Sequence, residues 1–86
     1  LAFVVDIETP GGKLFEKIQE WGGTNLKDIF IFDVYSGQQV PIGKKSIAFS
    51  LTFQANERTL TEDEVNEAVD QIIRAARNEF DAVLRG

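Results

Sequence analysis

Ser46-Ile47-Ala48-Phe49-Ser50-Leu51-Thr52-Phe53-Gln54 alternates without a break, with Ile47, Phe49, Leu51 and Phe53 on one side and Ser46, Ala48, Ser50, Thr52 and Gln54 on the other. Successive side chains of a strand point to opposite faces, so the segment predicts a strand with one buried face and one open face. A slip of one residue would put four large apolar groups into water, which pins the register. The protein therefore needs a sheet that is covered on one side and bare on the other.

Working upstream, Leu26–Tyr35 also alternates. Phe30, Phe32 and Val34 share one side, while Ile29, Ile31, Asp33 and Tyr35 share the other. The two segments predict a hairpin, joined by residues 36–45, a connection longer than the usual two to five residues. Residues 2–7 form a third alternating run, with Phe3, Val5 and Ile7 opposed to Ala2, Val4 and Asp6. Thr9-Pro10-Gly11-Gly12 ends that strand, and Leu14, Ile18 and Trp21, with Phe15 beside them, recur at helical spacing until Gly22-Gly23 stops the helix.

Working downstream, Leu60-Thr61-Glu62-Asp63-Glu64-Val65 carries a helix start. Thr61 and Glu64 have the spacing of a capping box, Leu60 and Val65 that of a hydrophobic staple, and the acids suit the positive end of the helix dipole. Val65, Val69, Ile72, Ile73, Ala76 and Phe80 then lie along one apolar stripe. Residues 81–85 are long enough for a short last strand. The resulting order, β-α-β-β-α-β, predicts an α+β fold of ferredoxin-like type, an antiparallel sheet with two helices on one face. Residues 1–86 read as a single domain, and the lack of methionine predicts a piece of a longer polypeptide.

Composition removes several function classes. With no cysteine and no histidine, thiolate metal sites, imidazole bases and the usual nucleophile triads are excluded. Gly11-Gly12-Lys13 lacks the spacing of a nucleotide-binding loop, and Asp6 with Asp33 makes a poor catalytic pair without a pocket or a base. The net charge of −5 has the wrong sign for bulk attraction to nucleic acid, so any RNA contact has to be local. Residues 1–45 hold five basic and six acidic groups, residues 46–86 four basic and eight acidic, so the acid gathers around the second helix. No apolar run approaches membrane-spanning length, and the sequence predicts a cytoplasmic location without membrane partners.

The open face is then expected to show Ala2, Val4 and Asp6, Ile29, Ile31, Asp33 and Tyr35, and Ser46, Ala48, Ser50 and Thr52. Unpaired bases are held by stacking on aromatic rings and by hydrogen bonds to their edges, and one tyrosine beside one carboxylate and several hydroxyls supplies both. A tyrosine that merely ends a strand beside a solvated aspartate has the same sequence. In the connection, Lys44 and Lys45 suit phosphate neutralisation and equally suit a soluble hairpin tip, with Gly43 at a turn that needs positive φ. Arg58 is expected to bind loop carbonyls or a carboxylate, and Trp21 to be core.

Ile31-Phe32-Asp33-Val34-Tyr35, Ser36-Gly37-Gln38, the run from Val40-Pro41-Ile42-Gly43-Lys44-Lys45 through Phe53, Glu57-Arg58-Thr59-Leu60-Thr61 and the ending Leu84-Arg85-Gly86 form one pattern. It closely resembles the ferredoxin-fold anticodon-binding domain that ends the β chain of bacterial phenylalanine-tRNA ligases. The resemblance implies an RNA-binding domain, itself non-catalytic, of an ATP-dependent aminoacyl-tRNA synthetase. Its partners would be the anticodon stem-loop of phenylalanine tRNA and a catalytic α subunit, in an assembly of two α and two β chains. It implies no cofactor in this domain, ATP and magnesium being bound elsewhere in the enzyme. By position, Tyr35 would stack on an anticodon base, Asp33 would accept from a base edge and Ser46 would add a polar contact; Ala2, Val4 and Ala48 of the open face and Lys44 and Lys45 of the connection complete the expected RNA-binding residues. Where some relatives have basic or histidine side chains on the third strand, this chain has Ser50 and Thr52. The competing readings are an RNA-recognition motif, which needs aromatics projecting outward where Phe49 and Phe53 instead share the apolar side, and an amino-acid-binding regulatory module of the same topology.

Overall fold

The computed structural model describes residues 1–85. Its elements are β1 (Ala2–Asp6), α1 (Gly11–Trp21), β2 (Leu26–Tyr35), β3 (Lys44–Phe53), α2 (Glu62–Phe80) and β4 (Val83–Leu84). The four strands form one antiparallel sheet in the order β2-β3-β1-β4. Each helical crossover thus skips a strand: α1 links β1 to β2 with β3 between them, and α2 links β3 to β4 with β1 between them. This is the ferredoxin-like arrangement that the element order predicts.

Both helices cover the same face. Leu14 and Ile18 of α1 and Ile72 and Ala76 of α2 are buried with Phe3, Val5, Ile47 and Phe49 of the sheet in a single cluster. A fully buried side chain of this size contributes ~1.5 to 3 kcal/mol relative to exposure, so this cluster dominates the stability of the fold. Phe3 and Phe49 meet edge to face at 6.4 Å. Trp21, expected in the core, is half-buried at its edge, where it packs against the cluster and meets Phe80 edge to face at 6.3 Å between the helix ends. Gly22 ends α1 because Leu26 folds back onto it; a Cβ there would come within 2.3 Å of the leucine.

The start of α2 follows its sequence signature. Thr61 Oγ1 accepts from the Glu64 N–H at 3.2 Å, and Glu64 Oε1 accepts from the Thr61 N–H at 3.2 Å, the reciprocal capping box. Arg58 closes on the same carboxylate in a bidentate pair, Nη1 to Oε1 at 2.7 Å and Nη2 to Oε2 at 2.6 Å. Asp81 caps the other end in the left-handed conformation, φ 56°, and Ala82 is buried behind it. That cap consumes the first two residues of the expected 81–85 strand, leaving β4 as Val83–Leu84.

Two expectations of facing are corrected. Ile7 lies past the end of β1 and is exposed, because the chain turns away with the Thr9 N–H bonded to the Asp6 carbonyl. In β2, Ile29 is 8% exposed and Ile31 packs on the core, whereas Phe30 is 50% exposed. The reason is two register shifts against β3, one between Leu26 and Asp28 and one between Ile31 and Asp33. Each bulge inserts one residue and reverses the parity of the residues after it. The strand therefore does not keep one alternation from end to end.

Candidate nucleic-acid interface

The second bulge controls which side chains of β2 reach the open face. Before it, Ile29 and Ile31 pair with Leu51 and Phe49 on the helix-covered side, and Phe30 pairs with Ser50 on the bare side. Phe32 is the extra residue. After it, Asp33 pairs with Ala48 and Tyr35 with Ser46, so both join the bare side. Asp33 and Tyr35 are thus where the sequence put them, but Ile29 and Ile31, expected beside them, are on the opposite face.

Pairing across the sheet arranges the bare face in rows. Tyr35, Ser46, Val4 and Val83 lie in register on successive strands, and Asp33, Ala48 and Ala2 form the neighbouring row. Ala2, Val4 and Ala48 are half-buried and make a low floor. Ser46 is only 3% exposed, so its hydroxyl lies beneath its neighbours and does not stand free on the surface. Tyr35 is 36% exposed, with its hydroxyl side against Gly37, where an added Cβ would come within 2.9 Å of the phenol oxygen.

Lys44 and Lys45 are the first residues of β3 and not the tip of the connection, which runs over residues 36–43. Lys44 pairs with Asp6 across the sheet and its Nζ donates to Asp6 Oδ1 at 2.6 Å. Lys45 pairs with Val5, whose side chain is in the core, so the alternation turns it away from the bare face. Gly43 adopts φ 84°, the turn role expected of it, with its carbonyl accepting from the Ile7 N–H at 2.9 Å.

Sequence reasoning missed two residues. Phe30 stands exposed on the bare face. Arg85 reaches in from β4: its guanidinium carbon lies 5.6 Å from the centre of the Tyr35 ring, and Nη2 donates to Gln39 Oε1 at 3.0 Å. Arg85 stood in the Leu84-Arg85-Gly86 ending of the family pattern, but its facing follows from parity with Val83 and needed the true bounds of β4.

The chain matches the family described as the ferredoxin-fold anticodon binding domain over residues 1–85. It belongs to that family. It is 46% identical over 86 residues to the phenylalanine–tRNA ligase beta subunit of Bacillus licheniformis, 45% to that of Geobacillus kaustophilus and 44% to that of Bacillus subtilis. All of this chain is covered in each comparison, against 11% of the relative, so the chain spans about a tenth of the length of the relatives it matches. In this anticodon-binding domain no described helix is long and apolar enough to cross a membrane. Phe49 lies in the core while Ala48 and Ser50 project outward, so the outward aromatics that an RNA-recognition motif needs on its third strand are missing.

Proposed function

We propose that this chain is one domain of a phenylalanine-tRNA ligase β subunit and receives the anticodon stem-loop of phenylalanine tRNA on the bare face of its sheet. The observation that carries this reading is the bulge at Phe32, which turns Asp33 and Tyr35 out together beside Ser46 and Ala48. A ring for stacking and a carboxylate for a base edge then sit on one small-residue floor. Ala2, Val4 and Ala48 let a base come close to the sheet. Lys44 contributes to phosphate contact by exchanging its Asp6 partner, and Lys45, turned from the bare face at the strand start, adds only long-range positive charge. Ser46 takes part once the side chains covering it have moved. The domain has no catalytic role, and the chemistry, with ATP and magnesium, belongs to the remainder of the enzyme and its α subunits, in an assembly of two α and two β chains in the cytoplasm.

The test is the affinity of the chain for a synthetic anticodon stem-loop. Tyr35→Ala is expected to weaken it by ~1 to 3 kcal/mol, the range for one base stacked on one ring, with the loss persisting at high salt. An unchanged affinity would remove Tyr35 as the platform and the reading with it.

A further inference from the structure

Tyr35 and Arg85 start from opposite edges of the sheet, yet their side chains meet above its middle. Arg85 is held at its main chain, where its N–H donates to the Ala2 carbonyl at 2.8 Å and continues the pairing of β4 with β1. Alternation from Val83, which pairs with Val4, puts the Arg85 side chain on the bare face. Between the two edges lie Ser46 and Val4, in register with Tyr35. The guanidinium sits at 5.6 Å from the Tyr35 ring centre with Gln39 Oε1 as its hydrogen-bond partner, and none of the ion pairs among the described residues includes it. Lys44, on the same face, is already occupied by Asp6. A ring and a planar cation therefore close over a small-residue floor, and the Ser46 side chain beneath is nearly inaccessible.

We propose that Arg85 is a nucleobase-binding residue and that a base of the bound RNA enters between its guanidinium and the Tyr35 ring. The inference rests on the reading that RNA docks on this face at Tyr35. Stacking on both faces of a base needs two contact distances, ~7 Å in all, more than the 5.6 Å that now separates the guanidinium carbon from the ring centre, so the pair has to open to admit one. An arginine with its backbone anchored can supply that through its side-chain torsions, giving up the Gln39 hydrogen bond. In return the guanidinium keeps a π surface beneath it, now the base in place of the phenol. The occupant is an unpaired base, since a base inside a helix has both faces already stacked.

The experiment compares Tyr35→Ala, Arg85→Ala, Arg85→Lys and the double alanine variant of the chain in binding a synthetic anticodon stem-loop of phenylalanine tRNA. Arg85→Ala is expected to bind roughly three- to tenfold more weakly. Arg85→Lys, which keeps the charge and loses the plane, should fall close to Arg85→Ala. The double variant should be no more than about twofold weaker than Tyr35→Ala alone, because the second face of the sandwich is worth little without the first. Tighter binding by Arg85→Ala would make the arginine a competitor for the ring, and unchanged binding would make it a bystander. Parental binding by Arg85→Lys would reduce it to a phosphate charge, and additive losses would separate it from Tyr35. Each of these overturns the inference. Tyr35→Ala alone decides the docking reading beneath it, so the two failures are distinguishable.

Discussion

Ile29 and Phe30 are adjacent, both large and both apolar, but Ile29 enters the core cluster while Phe30 stands on the bare face opposite Ser50. Removing atoms from a filled core leaves a cavity, whereas removing them from a solvated face leaves water. Ile29→Ala is therefore expected to cost ~2 to 4 kcal/mol of stability. Phe30→Ala should stay within about 0.5 kcal/mol of the parent. Chemical denaturation measures both, and the reverse order would mean that β2 keeps a single alternation after all. The same distinction places Tyr35 outside the core: its ring rests on Gly37 and beneath Arg85, away from the cluster.

Among the elements, α2 has the most completely specified start. Glu64 is held down to about 2 from its ordinary value, first by the hydrogen bond from Arg58 and then by the Thr61 N–H. Because the folded value is depressed, the stabilising contribution is complete above the ordinary carboxylate range and is lost as pH falls toward 2. The pair faces solvent, so salt weakens it. In Arg58→Gln the Glu64 carboxyl should titrate closer to its ordinary value, and the variant should be less stable than the parent above the carboxylate range, with the difference closing as pH falls toward 2; carbon NMR of the glutamate side chains measures the first and a pH series of unfolding curves the second. A Glu64 titration that does not move would mean that Arg58 does not hold it in solution. β2 and β4 are the opposite case, since their usable faces depend on bulges and on a helix cap that lie outside each strand's own pattern.

At the scale of the molecule, the sheet order separates two surfaces. The helices bury one face, and the acids Glu62, Asp63, Glu67 and Asp70 stand on the exposed side of α2, behind the sheet from any ligand on the bare face. The net charge of −5 is thereby compatible with RNA contact on the other side. Amide shifts on titration with the stem-loop are expected in β1, β3 and the end of β2, with the outer turns of α2 unmoved. Shifts confined to the helices would transfer the interface to the acidic side and refute the docking face. Order also decides which edges meet: with β2 and β4 outermost, Tyr35 and Arg85 converge over β3 and β1 although fifty residues of chain separate them.

The sequence by itself determined the element order, the register of β3 and the capping box at Thr61, because each is written in residues close together and read by a period or a spacing. It also carried the family pattern, and with it Asp33 and Tyr35 as a pair. What only the tertiary structure decided was the facing of Ile29 and Phe30, the burial of Ser46 and the reach of Arg85 across the sheet. A bulge leaves no local mark, since one extra residue in β2 is defined only by the partner residue it lacks on β3. Burial of Ser46 and engagement of Arg85 arise where strands distant in sequence lie side by side, and strand adjacency is a property of the packed sheet.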